Sequence, residues 1–374
     1  MSKVSIVKCS DYDKNNIYYS VKESVNLAGG FEFVRGKKVL IKPNLLAPSK
    51  PEQSVTTHPE VVRAVIKLAY ESGAEKVMVG DSPGIGTQEI IYNMTGIKKV
   101  VDEEGAFIAN FKDKIEVENH EGKLVKKFEL AKAVEEADVV ISVAKLKTHG
   151  MTYFTGSMKN LFGTVPGMLK PQFHYRFPDK RDFAEMIVDL NVAIKPQFGI
   201  IDGVMGMEGN GPRSGNKRFI GVIMASKDLT ALDATACRVV GINPEKILML
   251  KIAGDRKTGE IEEQNIEISG EKVENVMIKN FKQVTRERDI LGLLPFEIPK
   301  IINDIIKIIM VPKPFFEHKK CILCNECVNV CPVQPKALKN ENKKIIIDRK
   351  RCIRCFCCQE MCPVGAIKPK RICK

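Results

Sequence analysis

Long apolar runs are missing from this 374-residue chain. None approaches the ~20 residues that a membrane-spanning helix needs. The longest candidate, IINDIIKIIM from Ile301, is interrupted by Asn303, Asp304 and Lys307, each costly in lipid. The N-terminal MSKVSIVKCSDYDK carries charges and no apolar core, so no secretory signal is read there. The expectation is a cytoplasmic protein with no membrane span. Cysteine is almost absent from the first 320 residues, where only Cys9 and Cys237 occur. A secreted disulfide scaffold would spread its cysteines more evenly. Glycine-rich phosphate loops are missing too. Neither a Walker loop nor G-x-G-x-x-G occurs, and the GIG at Gly84 lacks its third glycine, so no nucleotide is implied.

Positive charge is present in excess and unevenly placed. The formal net charge is +13. From Pro312 to Lys374 there are fifteen Lys and Arg against five Asp and Glu, or +10, and the remainder carries 44 against 41, or +3. The basic pI is therefore a property of the tail. Such a tail suits docking to an acidic redox partner protein. No recognised nucleic-acid reader motif accompanies the charge, so no nucleic acid is expected.

Apolar β-branched runs alternate with helical periodicity over the first ~280 residues, which predicts an α/β fold. The expected strands are KVLI (Lys38 to Ile41), KVMVG (Lys76 to Gly80), DVVISVA (Asp138 to Ala144), FGIID (Phe198 to Asp202) and FIGVIMA (Phe219 to Ala225). Each reads as buried on both faces, the mark of a mostly parallel sheet. PEVVRAVIKLAYESG, AKAVEEA and DFAEMIVDLNVAI read as helices, with Gly73 closing the first. His58 and Pro59 suit that helix's start. KIEVENHEGKLVKKFEL alternates and turns, so it reads as a hairpin insertion. The division is a core over 1–297, a helical connector over 298–314 and a small α+β domain over 315–374.

The tail repeats itself. CILCNECVNVCP from Cys321 and CIRCFCCQEMCP from Cys352 match at every cysteine of C-x2-C-x2-C-x3-C-P, 31 residues apart. Zinc would use one closed set of four ligands. Two complete motifs, each ending in proline, resemble the bacterial two-[4Fe–4S] ferredoxin module. In that module the fourth cysteine of each motif serves the other cluster. The resemblance implies one [4Fe–4S] cluster on Cys321, Cys324, Cys327 and Cys362, and a second on Cys331, Cys352, Cys355 and Cys358. Cys357 and Cys373 are left over, as incidental thiols or as redox-active ones.

Polar residues follow nearly every expected strand: Lys42 and Asn44, Asp81, then Lys145, Lys147 and His149, then Glu208, Asn210 and Arg213, then Asp228 and Asp233. The loop TGSMKNLFG adds Lys159 and Asn160. Ligands of open α/β sheets bind beyond strand carboxyl ends. Five ends in one order would form one rim, with Lys42, Asn44, Lys145, Lys159, Asn160 and Arg213 as substrate-binding candidates. Their charge suits an anionic small molecule. His149, Asp81 and Lys147 are the catalytic candidates, His149 because its ordinary pKa lies near ~6.5.

The strings KPNLL, TTHPEVV, VGDSPG, AKLKTHG, GSMKNLFG, DGVMGMEGNGP and LDATACRVVG together resemble the family known as domain of unknown function 362, whose members often carry a C-terminal ferredoxin module. The resemblance covers about residues 3 to 280. It implies an α/β core joined to clusters, and it brings no established reaction. The reading reached is a ferredoxin-coupled oxidoreductase of anaerobic metabolism acting on an anionic substrate or cofactor. The alternatives are a non-catalytic electron carrier or adaptor docking to a partner enzyme, and a cluster-delivery or redox-sensing protein.

Overall fold

The computed structural model describes residues 1–84, 86–167, 169–284 and 313–370. The strands are β1 (Ser2–Lys8), β2 (Lys38–Pro43), β3 (Lys76–Val79), β4 (Phe107–Ile108), β5 (Lys114–Glu118), β6 (Lys127–Ala131), β7 (Val139–His149), β8 (Tyr153–Thr155), β9 (Phe198–Glu208), β10 (Asn216–Ser226), β11 (Ile266–Gly270), β12 (Lys313–Phe316), β13 (Leu338–Glu341), β14 (Lys344–Ile347) and β15 (Ile367–Lys370). Nine of them form one sheet in the order β11-β1-β10-β9-β7-β2-β3-β4, with β8 paired to the end of β7. β9, β7, β2, β3 and β4 run parallel, as do β1 and β11. β10 is antiparallel to both its neighbours.

Strand β7 shows why the sheet is covered on both sides. Successive side chains point to opposite faces. Val140, Ala144 and Leu146 enter the core that contains Phe128, Phe183 and Leu232. Val139, Ile141 and Val143 enter the core that contains Ile17, Val61 and Ile97. Helices Lys14–Leu27 and Pro59–Glu71 cover the second face, and Lys180–Ile194 and Leu229–Val239 cover the first. Helix Pro59–Glu71 begins as expected, with His58 Nδ1 accepting the Glu60 N–H at 3.3 Å. Gly73 follows its end at φ +86°, a left-handed conformation that glycine adopts without a Cβ clash.

Three expectations about the sheet change. β7 and β9 each run to eleven residues, so KLKTH and GVMGME are strand and not loop. The alternation A-K-L-K-T-H already carries the period of two. β10 runs the other way, so its carboxyl end, with Asp228 and Asp233, lies outside the rim. Asp228 instead caps helix Leu229–Val239. Buried Asp233 accepts the Ser157 and Met158 N–H groups at 2.6 and 2.9 Å.

β5 and β6 pair antiparallel as the hairpin insertion. Asp189, on helix Lys180–Ile194, anchors it. Its carboxylate accepts the N–H groups of Lys123, Leu124 and Val125 at 2.8, 2.7 and 2.7 Å and pairs with Arg256 at 2.7 Å. In the tail, β12 pairs with β15 and β13 with β14, each antiparallel, and two helical turns span Glu326–Asn329 and Cys357–Glu360. Of the connector expected over 298–314, all but Lys313 and Pro314 lies outside the described residues, and those two open β12.

Asp189 is fully buried, so its loss would strand three amides and part of the Arg256 charge. Asp189→Ala is expected to lower stability by about 3 kcal/mol. Urea unfolding followed by circular dichroism measures this, and a loss under ~0.5 kcal/mol would remove the anchoring role.

Candidate functional site at the seam between core and tail

The strand order reverses between β2 and β7. β2 is followed outward by β3 and β4, and β7 then returns to its other side. Such a switch point opens a crevice at the strand carboxyl ends. Here the crevice is a cleft that encloses about 740 Å³ including the space at its mouth. β2 supplies Lys42, and Asn44 follows it. Asp81 follows β3, and β7 supplies Lys147 and His149. The helical turn Ser157–Asn160 brings Lys159 and Asn160, and helix Leu169–Arg176 brings Lys170 and His174. The fourth wall belongs to the tail: Val330, Cys357, Glu360 and Met361.

Lys42, Asp81 and Asn160 are bound to one another. Lys42 Nζ is fully buried, 2.8 Å from Asp81 Oδ1, 2.9 Å from Asn160 Oδ1 and 2.8 Å from the Pro43 carbonyl. Asn160 Nδ2 donates back to the Lys42 carbonyl at 2.8 Å. Asp81 Oδ2 accepts the Leu45 N–H at 2.6 Å. These atoms build the floor of the cleft.

Lys147, Lys159 and Lys170 are differently placed. Lys147 Nζ donates only to neutral oxygens, Asn44 Oδ1 at 2.6 Å and the Val55 carbonyl at 2.7 Å. Burial, then the charges of Lys159 and Lys145, hold its pKa well below the lysine range. Half-buried Lys159 lies 6.0 Å from the Phe162 ring centroid and is also lowered, burial first. Lys170 reaches the Ser82 carbonyl, and burial brings it down to about 7. Three lysine amines thus face one cleft with no carboxylate among the described residues within ion-pair distance, and burial makes each easier to deprotonate than an ordinary lysine.

His149 Nδ1 accepts the N–H groups of Met151 and Thr152 at 3.1 and 3.3 Å. The neutral ring therefore carries its proton on Nε2, which faces Glu360 Oε1 at 3.5 Å. Burial holds His149 well below its ordinary pKa. His174 stacks on Phe183 at 4.5 Å, its Nδ1 has no hydrogen-bond partner among the described residues, and burial lowers it to about 3. Burial pushes Glu360 up to about 7, against the lowering effect of Lys159 and Lys147.

Two substrate-binding candidates stand elsewhere. Lys145 Nζ pairs with Asp202 Oδ2 at 2.9 Å and meets the Tyr12 hydroxyl at 2.7 Å. Tyr12 stacks on His58 at 3.7 Å, so this closed network lies apart from the cleft. Arg213 holds the tail, donating from Nη1 to the Met361 carbonyl at 2.7 Å. Beside it Ser214 Oγ donates to the Cys362 carbonyl at 2.6 Å, and Gln359 Nε2 to Asn210 Oδ1 at 2.8 Å. Lys170, His174 and Glu360 were not singled out from the sequence. Glu360 sits among the cysteines of the second motif, where its position gives no hint of a role.

The cysteines line two cavities in the tail. Cys321, Cys324, Cys327 and Cys362 surround one of about 330 Å³. Cys331, Cys352, Cys355 and Cys358 surround another of about 340 Å³, with Cys357 at its edge. The loops repeat in backbone as well as sequence. Leu323 and Asn325 have φ of 57° and 61°, and Arg354 and Phe356, 31 residues on, both have 59°. The Ala366 N–H donates to Cys362 Sγ at 3.2 Å. Burial, then Cys324 and other neighbouring thiols, pushes Cys327 up to about 12, a cost that a bound cationic core removes. Four thiols and apolar walls fit a [4Fe–4S] cluster in each cavity, and in the first an amide is also aimed at sulfur. Among the described residues no three His, Cys, Asp or Glu close on a single ion. Cys373 lies outside the described residues.

The floor and the lysine wall separate by experiment. Lys42→Met would leave Asp81 buried without its cation, at an expected cost of about 3 kcal/mol in stability. Lys147→Met removes a desolvated amine that, among the described residues, meets only neutral oxygens, and is expected to be neutral or stabilising. Thermal unfolding of the two variants side by side checks the contrast, and equal destabilisation would contradict it.

A protein of Synechocystis sp. (strain ATCC 27184 / PCC 6803 / Kazusa), described as thylakoid-associated protein sll1697, is 35% identical over 258 residues, covering 66% of this chain and 77% of that protein. Among solved structures, the lactate racemase apoprotein from Thermoanaerobacterium thermosaccharolyticum matches 54% of this chain and 50% of its own at 15% identity and a TM-score of 0.36. A protein from Thermotoga maritima matches 54% and 52% at 15% identity and 0.35. The chain thus spans about half the length of these two structures. No helix among the described residues is long and apolar enough to cross a membrane. Residues 313–363 match the model described as 4Fe-4S dicluster domain, so the tail is an iron–sulfur domain. Residues 39–238 match the model described as domain of unknown function (DUF362), and the chain belongs to that family.

Proposed function

We propose that this chain is an iron–sulfur oxidoreductase that exchanges electrons with an anionic small molecule held in the cleft. Cys321, Cys324, Cys327 and Cys362 hold one [4Fe–4S] cluster, and Cys331, Cys352, Cys355 and Cys358 hold the second. When bound, these clusters supply one-electron transfer. The observation that carries the proposal is the position of Cys357. This residue lines both the second cysteine cavity and the cleft, so the ligand's place and the electron source share one wall.

Lys147, Lys159 and Lys170 hold the anion, and Leu46, Phe162 and Met361 pack its apolar part. His149 donates a hydrogen bond from Nε2. Lys42, Asp81 and Asn160 fix the floor on which these groups stand. The cleft sets four lysines, Lys42, Lys147, Lys159 and Lys170, against two acidic groups, Asp81 and Glu360. Burial lowers the pKa of Lys147, Lys159 and Lys170, and a bound anion would hold them protonated. A carrier or adaptor role would need no such gathering of lysines in the crevice.

Anaerobic purification and native mass spectrometry test this directly. The expected result is eight irons and a retained anionic ligand, the latter lost from Lys147→Met and Lys159→Met while the iron content stays. A holoprotein with intact clusters and an empty cleft in every preparation, with lysine variants indistinguishable from it, would sink the oxidoreductase reading.

Anion affinity carries a pH signature. Lys170 titrates at about 7, and its protonated form attracts the anion. Affinity is therefore full below about pH 7 and falls above it, by up to about tenfold per pH unit, the limit for one proton. Titration calorimetry in two buffers of different ionisation heat reads proton uptake on binding. Lys170→Gln should reduce that uptake, leaving the share of Lys147, Lys159 and Glu360, and an unchanged pH profile would rule out Lys170.

A further inference from the structure

The two cysteine cavities differ in what surrounds them. The second shares Cys357 with the cleft, and its Cys358 is buried. The first shares no residue with the cleft. It opens outward at Cys324, which is exposed, between Ile322 at 61% and Val364 at 39% exposure. Exposed apolar side chains beside a ligand thiol give a small, dry contact through which a partner can come within electron-transfer distance.

Exposed lysines flank the residues of that contact in sequence, with Glu326 as the acidic residue next to Asn325. Lys319 and Lys320 lead into Cys321. Lys343 and Lys344 precede Ile345, and Lys368 follows Ile367, both of which line the cavity. All five lysines are exposed. Glu317 takes Lys320 at 2.7 Å and Lys368 at 2.5 Å. Among the described residues, Lys319, Lys343 and Lys344 have no carboxylate within ion-pair distance, and the face keeps a surplus of positive charge.

We propose that this face around Cys324 is the docking surface for an acidic electron-carrier protein, which places the donor at the cysteine cavity that shares no residue with the cleft. The apolar pair supplies the contact. The free lysines steer a negatively charged partner onto it, an effect worth 10- to 1,000-fold in association rate at low salt. One electron passes per encounter, and no bond forms or breaks. The inference rests on the cluster assignment proposed above and is independent of which anion occupies the cleft.

The test uses the full-length, cluster-loaded protein and a reduced, acidic two-[4Fe–4S] ferredoxin as the probe. Stopped-flow absorbance gives the rate of electron transfer, and calorimetry with the oxidised probe gives binding. Both should weaken steeply with ionic strength. The triple variant Lys319→Glu, Lys343→Glu, Lys344→Glu is expected to slow transfer and weaken binding by tenfold or more. Its reduction by photoreduced deazariboflavin, an uncharged reagent, should be unchanged. Arg349→Glu with Lys350→Glu, exposed residues before the second motif, should change either value less than threefold. Equal effects from the two variants, a larger effect from the second, or no salt dependence would overturn the proposal. A protein without the visible absorption of iron–sulfur clusters would instead overturn the cluster assignment.

Discussion

The cleft depends on the buried ammonium of Lys42. A lysine with no solvent access must find acceptors on every side. It takes them from three segments distant in sequence: the Pro43 carbonyl of its own strand, Asp81 after β3, and Asn160 after β8. Satisfying one charge therefore fixes the position of three chain segments around the switch point. The constraint extends to Gly163, where a Cβ would stand 2.0 Å from Asp81 Oδ1 and 2.4 Å from Lys42 Nζ. Only a residue without a side chain lets the backbone pass over the pair.

The same logic sorts the other lysines. Lys145 and Lys147 are two residues apart on β7, and each is about 1% exposed. Lys145 has Asp202 and the Tyr12 hydroxyl, so its charge is balanced inside the fold. Lys147 has Asn44 and a carbonyl, which orient it without neutralising it. Adjacent inward positions of one strand thus carry a closed charge and an open one. Strand position alone could not separate them. The partner on the facing element decides.

The sequence made the parallel core, the hairpin insertion and the start and end of helix Pro59–Glu71 legible, because each rests on local pattern. The extra length of β7 was also visible in the alternation of A-K-L-K-T-H, which the excess of polar residues masked. The direction of β10 was not, since a strand buried on both faces reads the same either way. Lys42, Asn44, Asp81, Lys147, His149, Lys159 and Asn160 do gather at one cleft. Lys145 and Arg213 do not, because their distant partners, Asp202 and the Met361 carbonyl, take them elsewhere. Lys170 and His174 lie on a short helix of weak amphipathic pattern, and Glu360 comes from the tail. No local signal announces a residue that acquires its setting only when the two parts of the chain meet.

That meeting builds the seam. Here the loop from Gly209 to Gly215 grips the backbone carbonyls of Met361 and Cys362 and the side chain of Gln359. The grip acts on the segment that ends the second cysteine motif. It therefore sets Glu360 against His149 and turns Cys357 towards both cavity and cleft. Neither part has a complete site alone, since the core lacks a fourth wall and the tail lacks the lysines. Moving the tail away would open the lysine side of the cleft to water. The burial that lowers the pKa of Lys147 and Lys159 and the placement of Cys357 on the same cleft thus arise from one contact.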